Sequence, residues 1–203
     1  MLKVFGHPAS TCTRKVLMTL AEIRTPYEMV TVDFTIQEHK KQPHLGRQPF
    51  GQIPAIDDDG FALYESRAIC RYLSERYSGS LVPADIKARA LMEQWISIET
   101  SNFTPSAMKF IYHDVFKRPQ EPAVLETAAK SVDTALRVMD ARLGESPFVA
   151  GPQLSLGDVC FMPYFEYAML TPVKGMVAKF PHVSAWWSKV SERPTWQKAI
   201  GRA

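Results

Sequence analysis

The stretch Leu2-Lys3-Val4-Phe5-Gly6-His7-Pro8-Ala9-Ser10-Thr11, running on to Ile23 and then to Tyr27-Glu28-Met29-Val30-Thr31-Val32, decides the fold. Leu2 to Phe5 is a short apolar run that stops at Gly6-His7-Pro8, the pattern of a buried strand and its turn. From Thr11 to Ile23, Val16, Leu17, Leu20, Ala21 and Ile23 recur at helical spacing, with Ser10 and Thr11 placed to cap the helix. Tyr27 to Val32 carries the β-branched residues of a second strand. Strand, helix and strand within about 30 residues make a βαβ unit, so the two strands should lie parallel.

Working outward, residues 33–54 are polar and irregular, with Pro43, Pro49, Gly51 and Pro54. Ala55-Ile56 and Ala62-Leu63-Tyr64 flank Asp57-Asp58-Asp59-Gly60, which predicts a hairpin. Glu65 to Tyr77 is again helical. The first part, 1–78, is thus α/β, ordered β-α-β-loop-β-β-α. Residues 79–84 read as a linker, and 85–203 as an all-α domain with helices over Asp85 to Ser101, Pro122 to Leu143, Leu156 to Leu170 and Ser184 to Ile200.

The chain has 203 residues, 46% of them hydrophobic, enough for a sizeable core. A net charge of +3 without a clustered basic face argues against nucleic acid as a partner. No stretch reaches the roughly 18 apolar residues of a membrane span, and the opening residues lack a signal-peptide pattern. Cys12, Cys70 and Cys160 are odd in number and far apart, unlike a disulfide framework or a metal site. These features predict a cytoplasmic protein with no membrane and no metal.

Four stretches together resemble the glutathione transferase family, nearest to its phi-like, serine-type branch. They are Val4 to Ser10, Glu38-His39-Lys40-Lys41, Arg47-Gln48-Pro49-Phe50-Gly51-Gln52-Ile53-Pro54-Ala55 (lacking the family's Asn), and Tyr64-Glu65-Ser66-Arg67-Ala68-Ile69. Further on, Ser155-Leu156-Gly157-Asp158 opens a helix as the family's capping motif does. The resemblance spans essentially the whole chain. It implies a thioredoxin-like first domain, and transfer of glutathione to hydrophobic electrophiles in detoxification, with glutathione-dependent peroxidase activity through the same thiolate. Glutathione would be a co-substrate, with no permanently bound cofactor.

The resemblance assigns roles residue by residue. An ordinary thiol is only about 3% thiolate at pH 7, so the enzyme gains by favouring the anion. Ser10, at a helix start where unpaired N–H groups attract negative charge, would donate to the sulfur; read alone, it is a helix cap. Thr11 would also contact glutathione. The Ile53-Pro54 bond would be cis, offering the Ile53 backbone to the cysteinyl unit, with Gln52 on the peptide. Glu65 and Ser66 would take the γ-glutamyl ammonium and carboxylate. His39 and Lys40 would meet the glycine carboxylate, or be solvated loop charges. Phe5, Pro8, Met108, Phe110, Ile111, Tyr112 and Phe116 would line the electrophile pocket, or be helix core. Phe50 would anchor a homodimer. His7 and Arg67 read as structural, and Ser155 with Asp158 as a folding device.

Two other functions compete. Cys12 would make the chain a cysteine-dependent thiol transferase. Alternatively, the fold would serve as a non-catalytic ligand carrier or interaction module.

Overall fold

In a computed structural model, which describes residues 1–202, the opening stretch forms strand β1 (Lys3–Gly6), helix α1 (Thr11–Glu22) and strand β2 (Glu28–Thr31). β1 and β2 run parallel, with Val4 opposite Met29, as a crossover helix between them requires. A 3-10 turn at Glu38–Lys40 and the one-turn helix α2 (His44–Arg47) follow. Strands β3 (Ala55–Asp58) and β4 (Phe61–Tyr64) make the hairpin, and α3 (Ser66–Tyr77) comes next. The four-stranded sheet has the order β2-β1-β3-β4, with β3 antiparallel to both β1 and β4. This is the small mixed sheet that the sequence pattern predicts, and the thioredoxin-like one that the resemblance implies.

Local chemistry sets these elements. The hairpin turns on Asp59 and Gly60, both at positive φ (51° and 94°), as the right-handed twist of the strands favours. At the end of β1, a Cβ on Gly6 would lie 2.6 Å from the Thr13 Oγ1, so only glycine lets α1 seat against that strand end. Val16, Leu17, Met18 and Leu20 of α1 and Ile69, Cys70 and Leu73 of α3 are buried where the two helices pack.

The chain divides into two compact units. One holds Met1–Val82 with the residues from Pro194 onward; the other is Pro83–Arg193. The sequence reading put everything after 84 in the helical domain. Instead, α10 (Pro194–Ala199) packs on α1, with Trp196 fully buried and the Thr195 hydroxyl donating to Glu22. The expected helix over 184–200 is two helices, α9 (Pro181–Ser191) and α10, because Pro194 cannot continue the hydrogen-bond ladder. Leu81 and Val82, expected in the linker, are buried, and the Leu81 N–H donates to Ser74 Oγ at 3.2 Å.

In the second unit, Asp85 caps α4 (Ile86–Ile98) by accepting from Ala88 N–H at 2.9 Å. The sequence reading ends this helix at Ser101. The backbone instead stays helical through wide turns at 99–103 and 111–115 that flank α5 (Thr104–Phe110). In these turns the hydrogen bond reaches five residues back, as from Phe116 N–H to Ile111 O at 3.0 Å. Pro105 lacks an N–H, so the four-residue ladder cannot run through it. Then come α6 (Pro122–Glu145), α7 (Leu156–Ala168) and α8 (Val173–Val177). α7 is buried on nearly every side, and its Phe165 stacks on Phe103 with ring centres 5.0 Å apart. Among the described residues no helix is long and apolar enough to cross a membrane.

Candidate functional site

Ser10 is the N-cap of α1, and Thr11 its first helical residue. The loop before it is tied down locally: Ser10 N–H donates to His7 O at 2.9 Å and Ala9 N–H to His7 Nδ1 at 3.1 Å. His7 is thus a structural brace. Ser10 Oγ accepts from Thr13 N–H at 3.3 Å, which leaves its own O–H to donate. The first turn of α1 holds no acidic residue, and Ser10 is half-buried. A hydroxyl donor at the positive end of a helix, with no carboxylate nearby on the helix, suits an incoming anion.

The loop after β2 brings His39 and Lys40 forward. The imidazole of His39 stacks on exposed Phe34 with ring centres 4.3 Å apart, and its Nδ1 has no hydrogen-bond partner. Burial, then the charges of Lys40 and His44, hold the His39 pKa below its ordinary value. Lys40 therefore carries the positive charge of this pair. Its ammonium donates to Phe50 O at 3.1 Å, and its stem lies across Gly51. Gly51 has φ +60°, and a Cβ there would come within 2.7 Å of Lys40 Cδ and 2.8 Å of His39 O. Glycine is needed on both counts.

Beyond Gly51 the Ile53-Pro54 bond is cis, and so is Gln42-Pro43. Pro54 is buried, Gln52 is exposed, and Ile53 packs against the cluster of Phe5, Val32 and Ala55. The Gln52 backbone is held by two side chains that sequence reasoning did not single out. His44 Nε2 bonds to its carbonyl at 2.7 Å, and Gln48 Oε1 accepts from its N–H at 3.1 Å.

Where β4 gives way to α3, Glu65 adopts φ 71° and ψ 105°. Such backbone is sparsely populated by any residue but glycine, and it concentrates at functional sites. Glu65 itself is exposed, while Ser66 at the first turn of α3 is 4% exposed. Arg67 is half-buried.

The apolar candidates divide. Phe5 is core, with the Arg47 guanidinium 4.2 Å from its ring centre, and Pro8 is exposed. Phe110 and Ile111 are buried in the helical unit, so they belong to its packing and not to a pocket wall. Met108 and Tyr112 are half-buried, and Phe116 is exposed, 5.5 Å from the ring of Tyr167. Phe50 is 66% exposed, with its ring edge-on to Tyr64 at 6.2 Å. Burial pushes the Cys70 thiol up to about 11, Cys160 is also buried, and Cys12 is half-buried in α1.

Elsewhere, Asp158 receives hydrogen bonds from Val149 N–H, Ser155 N–H, Ser155 Oγ and Trp186 Nε1, at 3.0 to 3.1 Å. With Ser155 it completes a reciprocal cap on α7. Burial raises its carboxyl above the usual value, against the pull of those donors. No group of three His, Cys, Asp or Glu side chains suited to a metal ion occurs among the described residues.

A four-stranded mixed sheet, a serine-capped first helix, a cis-proline ahead of the hairpin and a helical second unit define a two-part thioredoxin-like class. The family model for the glutathione S-transferase N-terminal domain matches residues 1–75, and that for the C-terminal domain matches 103–194. The chain is 37% identical to glutathione S-transferase F6 of Arabidopsis thaliana, over 98% of this chain and 99% of that protein. It superposes on the crystal structure of glutathione transferase F2 from Populus trichocarpa with a TM-score of 0.94 and 34% identity, covering 100% and 99% of the two chains. Against maize glutathione S-transferase I in complex with an atrazine glutathione conjugate, the TM-score is 0.91 at 31% identity, covering 99% and 97%. The chain belongs to the glutathione S-transferase family. Within the family it is similar to the plant phi (F) members.

Proposed function

We propose that Ser10 donates a hydrogen bond to the sulfur of glutathione, holding it as the thiolate for transfer to hydrophobic electrophilic small molecules. The observation that carries this is the cap geometry: Ser10 Oγ is occupied only as an acceptor from Thr13, with its O–H left to donate. Hydrogen bonding to the charged form lowers a thiol pKa, as does the helix end. Ser10 is a donor and needs no base.

The rest of glutathione follows from the same reading. Ser66 and the start of α3 take the γ-glutamyl carboxylate, and Glu65 the ammonium. Gln52 and the Ile53 backbone meet the cysteinyl unit beside Pro54, and Thr11 lies next to the sulfur. Lys40, with neutral His39 beside it, meets the glycine carboxylate. Glutathione enters and leaves as a co-substrate. On the helical unit, half-buried Met108 and Tyr112 with exposed Phe116 are the side chains offered to the electrophile. The same thiolate would reduce peroxides. Phe50 is the anchor of a homodimer, and three cysteines outside any disulfide suit a reducing cytoplasm.

Neither alternative is favoured. Cys12 lies inside α1, past the slot that Ser10 fills, and a pure carrier would not require the glutathione-facing residues. The test is Ser10→Ala assayed with a chloronitrobenzene substrate. Glutathione affinity should hold while turnover falls sharply; wild-type turnover would overturn the assignment.

A further inference from the structure

The side chains of His44 and Gln48 form a closed circuit with the backbone just ahead of Pro54. His44 Nε2 bonds to Gln52 O at 2.7 Å, Gln52 N–H donates to Gln48 Oε1 at 3.1 Å, and Gln48 N–H donates to His44 O at 2.9 Å. A carbonyl oxygen can only accept, so Nε2 carries a proton and donates, which leaves the ring's Nδ1 to find another partner. That Nδ1 is buried without a hydrogen-bond partner, and His44 is only 2% exposed. A buried nitrogen left unpaired destabilises the fold. An apolar ring would fill the same space without that penalty. What the imidazole alone supplies is the N–H on the Gln52 carbonyl.

We infer that His44 is a positioning residue for glutathione: through its Nε2–H it fixes the Gln52-Ile53 peptide in the orientation that meets the cysteinyl unit. Gln48 holds the same residue by its N–H, so the two peptide planes on either side of the Gln52 Cα are each gripped once. The Gln52 residue is exposed, and this circuit holds its main chain on the protein side. The bond joins two groups of the protein itself. It therefore acts by preorganisation, cutting the ordering that binding must supply. The inference rests on the reading that Gln52 and Ile53 face glutathione.

The test compares His44→Phe with His44→Gln, whose amide nitrogen sits where Nε2 does. His44→Phe should raise KM for glutathione about fivefold, the worth of one neutral hydrogen bond. Its kcat at saturating glutathione should stay within about twofold, and its Tm should not fall, since the unpaired Nδ1 is gone. His44→Gln should return KM to near the wild-type value. An unchanged KM in His44→Phe would overturn the inference, as would equal losses in both variants or an effect on kcat alone. Should His44→Phe fail to fold, His44→Gln against His44→Asn decides: the shorter amide cannot reach Gln52 O, so only it should lose affinity, and equal KM values refute the role. Ser66→Ala is the control for the underlying reading. If it leaves glutathione affinity intact, the assignment of the glutathione site fails whatever His44 does.

Discussion

Ser10 and Ser155 both stand at the N-cap of a helix, both in extended backbone, and their surroundings give them different work. Ser155 is 2% exposed; its Oγ accepts from Gly157 N–H at 3.2 Å and donates to Asp158 Oδ2 at 3.1 Å. Both sides of its hydroxyl are used, and the carboxylate beside it would repel any anion. Ser10 has the acceptor half of that arrangement without the acid, in a half-buried place. The same residue in the same slot is a folding device in one unit and a candidate donor to a ligand in the other. The difference is the missing carboxylate.

The contrast can be broken at Asp158 first. Asp158→Ala strands four buried donors, and should cost about 4 kcal/mol of stability, read as the urea midpoint at unchanged slope. A loss under about 1 kcal/mol would mean that the cap is ornamental. Next is Ser10→Ala. A hydrogen bond to a charged group contributes about 1.5–3 kcal/mol, so turnover should drop about 10- to 100-fold. Stability should fall by only about 1 kcal/mol, the usual cost of a lost cap. The pH at which the bound thiol ionises should also move up toward the free value, visible in thiolate absorbance. Ser155→Ala should show the mirror image: about 1–2 kcal/mol of stability lost, with turnover per folded molecule unchanged.

The smallest effect concerns a second carboxylate. Burial works to raise the Asp58 carboxyl, but the hydroxyls of Tyr77 and Tyr72, each 2.7 Å away, outweigh it and leave its pKa below the ordinary value. A carboxyl lowered on folding stabilises above the unfolded pKa of about 3.9, and the contribution is lost as pH falls through the folded value. Tyr77→Phe should therefore cost about 1 kcal/mol at pH 7, discounted for the exposure of Tyr77. The deficit should fade below about pH 4, as Asp58 protonates in both proteins. A deficit independent of pH would point to packing instead.

The parts of the fold written in near neighbours were legible. Alternating and helical apolar spacing gave β1, α1, β2, the hairpin and α3 close to their observed bounds, and Ser155 with Asp158 three residues on announced the cap of α7. The roles of Ser10 and Ser66 and the cis bond at Pro54 came from the resemblance to the family, carried by its short motifs. What escaped depends on partners distant in the sequence or on backbone that carries no signature. His44 carries no signal in the sequence because its partner is a main-chain carbonyl eight residues away. The aromatic run 108–116 reads equally as pocket lining and as helix core. Helical spacing continues through the wide turns, and it does not say that Phe110 and Ile111 face inward while Phe116 does not. Pro194, a helix breaker by its chemistry, was overlooked inside a run rich in tryptophan.

The burial of Cys70 has a bearing on self-protection. A catalyst that brings alkylating agents beside an activated sulfur exposes its own sulfurs to the same agents. With its thiol pushed to about 11, Cys70 is ionised in only about one molecule in ten thousand at neutral pH, and water, let alone a bulky reagent, scarcely reaches it. Cys160 is equally enclosed, so of the chain's three thiols only half-buried Cys12 is open to the reagents that meet the tripeptide's sulfur.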